Sequence, residues 1–132
     1  MAIAPTFYPG FRYRDADAAI KWLTDVLGCI PREDHRDDDG NVVHAELEFR
    51  GTIVMLSSAG AGREPFRSLP TGDGLIYCAI DEIDELYKQV QEAGGEIAME
   101  VEDTDYGSRD FTVRDPEGNL WSFGTYRPEA GA

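Results

Sequence analysis

Histidine and cysteine are scarce in this chain, with two of each among 132 residues. Only His35 and His44 can offer imidazole nitrogen. Cys29 and Cys78 lie far apart in the apolar stretches LGCIP and IYCAID, which argues against a disulfide framework. They read as buried free thiols, and a cytoplasmic home follows. Neither has a neighbouring histidine or basic residue that would activate a thiolate, so no thiol nucleophile is expected. Apolar runs are all too short to span a membrane. The N-terminal MAIAPTFYPG lacks the basic start and long apolar stretch of a signal peptide. Basic residues are few as well: 12 against 26 acidic ones, for a net charge of −14. That charge repels phosphate backbones and anionic membranes, so neither nucleic acid nor membrane is an expected partner. It would suit a cationic ligand, although acidic surfaces often serve solubility alone.

What is present is enough for a folded core. Hydrophobic residues make up 42% of the chain and aromatics 11%, in a length that fits one domain spanning 1–132. TFYPGFRY, Thr6 to Tyr13, is aromatic-rich and reads as a strand. Asp15 suits an N-cap, Ile20, Leu23, Val26 and Leu27 recur at helical spacing, and Gly28 stands where a helix would end. The acidic run EDHRDDDGN closes on Asp39-Gly40, a hairpin turn signal, and places His35 in a surface loop. VVHAELEF alternates with period two and RGT turns it into the strand IVMLSS.

The stretch AGAGREPFRSLPTGDG carries no periodicity and reads as a connector over 59–74. After it the plan repeats: the strand LIYCAI, an N-cap at Asp81, a helix with the stripe Ile83, Leu86, Tyr87 and Val90, and three more strands. Asp81 follows Asp15 by 66 residues, and Gly94 follows Gly28 by 66. A duplicated βαβββ module explains that spacing, with one copy over 6–58 and the other over 75–126. The fold class is α+β, with tandem βαβββ modules whose curved mixed sheets enclose a cleft, either with each other or with a second subunit. Clefts of that kind are natural small-molecule sites.

Three stretches carry a family resemblance: RDADAAIKWLTDVLG, HAELEFRGTIVMLS and, most specific, YGSRDFTVRDPEGNLWSF. With them the chain resembles the glyoxalase/bleomycin-resistance/extradiol-dioxygenase superfamily, also called the vicinal oxygen chelate proteins. Metal enzymes of that family draw His, Gln or Glu ligands from four strand positions. The matching positions here are Tyr8, Met55, Leu75 and Ser122. None is a usual ligand for a divalent cation, which wants carboxylate oxygen or imidazole nitrogen. The resemblance is therefore to a metal-free member, with no cofactor. His44, Glu46 and Glu48 share one strand face at alternate positions and could hold a cation instead, or form a polar row facing solvent or cavity.

Strand parity proposes the cleft lining. If Tyr8 faces the cleft, so do Gly10 and Arg12, with Ile53, Met55 and Ser57, then Leu75, Tyr77 and Ala79, then Leu120 and Ser122. Phe11, Tyr13, Trp121 and Phe123 are left for the core, and Thr112 stands opposite Ser122. Arg12, facing inward, needs a partner, which Glu46, Glu48 or an anionic ligand could supply. The resemblance adds Tyr106, at the position where drug-binding members present an aromatic, and Arg109, a recurrent basic residue of the same motif. The expected ligand-binding set is thus Tyr8, Arg12, His44, Glu46, Met55, Tyr77, Tyr106, Arg109 and Ser122. The function implied is small-molecule binding, with antibiotic sequestration as its finer form, in a homodimer. The alternative is an enzyme of the same superfamily: a lyase or dioxygenase, or a metal-free enzyme using Arg12, His44, Glu46 or Tyr106 for acid–base work.

Overall fold

The computed structural model describes residues 4–131. The first module runs β1 (Gly10–Tyr13), α1 (Ala16–Asp25), β2 (Ile30–Arg36), β3 (Val42–Phe49) and β4 (Thr52–Ser58). Its sheet has the order β1-β4-β3-β2, with β1 parallel to β4 and the other pairs antiparallel. The second module repeats this with β5 (Leu75–Ala79), α2 (Ile83–Glu92), β6 (Glu96–Asp103), β7 (Arg109–Arg114) and β8 (Leu120–Gly124), in the order β5-β8-β7-β6. The duplication is visible in the register. Gly10 pairs with Met55 in the first sheet, and Tyr77 pairs with Ser122 in the second, each 67 residues further on.

The caps explain where the helices begin and end. The Asp15 carboxylate accepts from the Ala18 amide at 3.0 Å, and the chain leaves α1 through Gly28 at φ 76°, a conformation glycine adopts without strain. In α2 the cap differs from the sequence expectation. Glu82, not Asp81, is the N-cap, and the Asp81 carboxylate instead meets Arg127 at 3.4 Å. Two other expectations are corrected. Residues 6–9 lie outside β1, where Pro9 has no amide to donate and Phe7 is 92% exposed. His35 is not in a loop: the strand β2 extends through it and pairs it with His44.

Alternation decides what each sheet buries. On β3, Ala45 and Leu47 are buried, while His44, Glu46 and Glu48 point the other way. The same rule buries Tyr13, Val54, Leu56, Phe111 and Phe123, and these meet both helices in a single apolar core. Aromatic contacts cross between the modules, Phe11 on Trp121 at 5.1 Å and Phe49 on Phe123 at 5.8 Å. Cys29 lies buried in this core and Cys78 packs against it, both free, and burial pushes each thiol up to about 12. Because the sheets share one core through their inner faces, their outer faces turn away from it and from each other.

Candidate functional site

Side chains of opposite parity to the core build a groove of about 820 Å³ on the outer face of the first sheet. Arg12, Met55, Ser57 and His44 form its floor, and the connector supplies walls through Arg63, Glu64, Phe66 and Leu69. The floor follows from pairing: Arg12 lies opposite Ser57 across β1 and β4, and Glu46 opposite Met55 across β3 and β4. Phe66 is 60% exposed and Leu69 49% exposed, so the connector offers apolar surface to whatever enters.

Arg12 does not find a carboxylate. Its Nη1 donates to Ser57 Oγ at 3.0 Å, and its Nη2 donates to the carbonyls of Ser58 and Ala61 at 2.9 and 2.6 Å. Its Nε is buried and has no hydrogen-bond partner among the described residues. The two glutamates expected to serve it are engaged elsewhere. Glu46 meets His44 Nε2 at 2.7 Å, and Glu48 meets Arg32 at 2.9 Å. That division draws the carboxylates of Glu46 and Glu48 to different partners. Among the described residues no group of three or more His, Cys, Asp or Glu side chains converges to hold a metal ion. The His44 ring instead stacks on His35, with centroids 6.3 Å apart.

The second sheet carries the other half of the expected set on its own outer face. Leu75 is 71% exposed there. Tyr77 Oη donates to the Tyr126 carbonyl at 2.6 Å, and Ser122 shares a 2.8 Å hydrogen bond with Thr112. Tyr106 donates to Asp110 at 3.1 Å and packs edge-on against Tyr126. The hydrogen bond to Asp110 raises the Tyr106 phenol above its ordinary range, and partial burial does the same for Tyr77.

The structure therefore brings together Arg12, His44, Glu46 and Met55 on one face and Tyr77, Tyr106 and Ser122 on the other. Two residues stand apart. Tyr8 precedes β1, half exposed and outside the groove. Arg109 shares the parity of Phe111 and Val113, so it points towards the helix side, where its Nε and Nη1 are held by Asp84 and Asp103 at 3.0 and 3.1 Å. Those carboxylates raise its affinity for the proton further. Sequence reasoning missed the connector residues, because a segment without periodicity gives no face to assign. The available signal was compositional: Phe66 and Leu69 are large apolar residues inside an otherwise Gly-, Pro- and Arg-rich stretch.

Comparison with known proteins decides the family. The model of the Glyoxalase/Bleomycin resistance protein/Dioxygenase superfamily matches residues 7–123. The chain belongs to this superfamily. Its curated relatives include Uncharacterized protein Rv0887c of Mycobacterium tuberculosis, 27% identical over 92% of this chain and 75% of that protein. Among solved structures it is similar to TioX from Micromonospora sp. ML1, at 27% identity and a TM-score of 0.82, covering 94% of this chain and all of that one (100%). A superfamily member from Sphaerobacter thermophilus, 22% identical with a TM-score of 0.72 over 92% of this chain and 97% of that one, shares the fold.

Superfamily membership raises the question of a metal ion, and the residues answer it chemically. The four positions matched to the metal ligands hold a phenol, a thioether, an aliphatic side chain and a hydroxyl, at Tyr8, Met55, Leu75 and Ser122. Leucine has no donor atom, and thioether sulfur is a poor match for a hard or borderline divalent ion. The Ser122 hydroxyl is already paired with Thr112. This donor set does not fit the superfamily's metal. The superfamily fold hosts many chemistries, so function has to be argued from the groove.

Proposed function

We propose that the protein binds a small organic molecule in a metal-independent cleft completed by a second copy of the chain. The observation that carries the reading is the groove of about 820 Å³, with Met55, Phe66 and Leu69 beside a few polar groups. Small-molecule pockets are typically roughly 300–1,000 Å³, mostly apolar, with a small number of placed polar groups. In this arrangement the groove of one protomer faces the second sheet of its partner, where Leu75, Tyr77 and Met99 are 71%, 39% and 55% exposed. A two-fold axis repeats the contact, and two equivalent clefts result. Apolar side chains exposed together on a sheet face support such a partner. Sequestration of an antibiotic is the finer form of this reading, and the aromatic and apolar lining suits a flat drug. Two free thiols held in apolar surroundings suit a reducing compartment such as the cytoplasm.

A second reading, metal-independent acid–base catalysis, is favoured by one contact. His44 Nε2 lies 2.7 Å from Glu46 at the groove, the pairing that orients an imidazole to move a proton. The deciding experiment is a calorimetric titration of chelator-treated, untagged protein with Ni²⁺, Zn²⁺, Mn²⁺ and Fe²⁺, followed by a screen of aromatic small molecules. The proposal expects no metal binding at micromolar affinity and at least one organic ligand recovered unchanged. One tight metal equivalent per chain overturns the metal-independent reading. Conversion of the bound compound moves the catalytic reading to the front.

A further inference from the structure

The distribution of ion pairs singles out the groove. Of the 12 lysines and arginines in the chain, nine have a carboxylate oxygen of the described residues within 4.0 Å: Arg14, Lys21, Arg32, Arg36, Arg50, Lys88, Arg109, Arg114 and Arg127. The three left over are Arg12, Arg63 and Arg67. Carboxylates outnumber cations 26 to 12, so three cations without a carboxylate are not the result of short supply. Two of them line the groove, and the third neighbours Phe66 of its wall in sequence. Arg12 is in the groove floor, Arg63 is in its wall, and Arg67 sits in the 3-10 turn that carries Phe66, donating to the Gly62 carbonyl at 2.9 Å.

From this concentration we infer that the groove takes an organic anion, an apolar or aromatic body bearing one carboxylate or comparable acidic group, with the acid seated at Arg12 and Arg63. The inference rests on the small-molecule reading of the groove and names the ligand class.

Arg12 carries the argument furthest. Carbonyl and hydroxyl oxygens occupy three of its five N–H groups and hold the guanidinium in a fixed position. They solvate the charge without cancelling it. One Nη1–H is left, and Nε is orphaned. A part-buried guanidinium held by dipoles alone is stabilised by an incoming anion, and charge-assisted hydrogen bonds are about twice as strong as neutral ones. Two acidic groups lie on this side, each with a partner of its own. Glu64 accepts from Ser68 Oγ at 2.6 Å, and Glu46 is on His44. The net charge of −14 acts against an anion only at a distance. Salt screens exposed charges beyond about 8 Å at physiological ionic strength, and within the groove lining Arg12 and Arg63 outnumber the one carboxylate, Glu64. This ligand class is opposite in charge to the cationic ligand that the net charge of −14 would suit.

The test is a calorimetric titration of the full chain with three probes of one shape: 2-naphthoate, 2-naphthamide and 2-naphthylmethylammonium. The carboxylate is expected to bind at least about tenfold more tightly than the amide, and the ammonium more weakly than either. Arg12→Gln is expected to erase the preference for the carboxylate over the amide. Because Arg12 also ties Ser58 and Ala61 together, Arg63→Ala is measured beside it. That exposed side chain has no ion-pair partner among the described residues, and its removal is expected to weaken the carboxylate several-fold more than the amide. Equal binding of carboxylate and amide, or tightest binding of the ammonium, overturns the anion inference and leaves the small-molecule reading standing. Failure of all three probes to bind removes the reading on which the inference rests.

Discussion

Tyr13 Oη donates to Asp115 Oδ2 at 2.7 Å, joining residues 102 positions apart and tying the last residue of β1 to the turn before β8. The same carboxylate receives the Trp121 indole and the Asn119 amide at 3.2 and 3.0 Å, while its other oxygen accepts two backbone amides. Tyr13 is 1% exposed and Asp115 3%, so the pair is shielded from competing water. Burial, and then the Asp115 charge, push the Tyr13 phenol far above its ordinary range. The module boundary is thus crossed by one buried carboxylate with all its acceptor sites in use.

Tyr13→Phe should destabilise the protein by about 1.5–3 kcal/mol, the usual worth of a buried hydrogen bond to a charged group. The ring would still fill its place, so the loss isolates the hydroxyl. Urea denaturation of wild type and variant measures it, and an unchanged midpoint would refute the tie.

Raising the pH should weaken the fold above about 9. The folded thiols of Cys29 and Cys78 lie at about 12, against 9.0 for the free group. A group raised on folding contributes fully below its unfolded pKa, and that contribution is lost as pH climbs towards the folded value. The slope approaches about 1.4 kcal/mol per pH unit for each thiol between those limits. Thermal melts from pH 7 to 11 should show a steep decline that Cys29→Ala makes shallower.

Gly95→Ala should cost about 1–3 kcal/mol through overpacking. A Cβ at that position would stand 2.6 Å from Val90 Cγ1 and 3.0 Å from Val26 Cγ1, and Val90 is fully buried (0% exposed). Chemical denaturation is the check. Gly131→Ala, with nothing within 4 Å of the added atom, is the matched control.

Leu75→Glu should leave the chain folded and weaken self-association at least about tenfold, since burying an unpaired carboxylate in a contact is costly. The side chain is 71% exposed in the single chain, so the fold does not depend on it. Sedimentation across a dilution series reads both states. A wild-type chain that stays monomeric at every concentration would remove the second copy from the proposal.

Much of this architecture was legible because side chains that alternate leave a trace in the sequence. Ala45 and Leu47 against His44, Glu46 and Glu48 is such a trace, and so is the paired spacing of Gly28 and Gly94. The departures have physical causes. Arg12 needs a partner that Glu46, Glu48 or an anionic ligand could supply; within the chain the carbonyls of Ser58 and Ala61 bind it instead of either glutamate, and a backbone acceptor has no residue type to betray it. Arg109 was placed by motif, whereas parity turns it towards Asp84 on α2. Asp81 matched the repeat spacing, yet its carboxylate meets Arg127 and the helix starts one residue later. The connector was invisible because its contribution depends on where it lies across a sheet that it does not join.

Under the proposed pairing, back-to-back packing gives chain abundance a direct part in ligand retention. Each outer face is then half of a container whose complement lies on another molecule. Under the paired arrangement, enclosed volume forms in proportion to the square of the free chain concentration when chains are dilute. Dilution then opens the container without any lid, hinge or chemical signal. A cell could set both how much ligand is held and how fast it escapes through the amount of protein it makes.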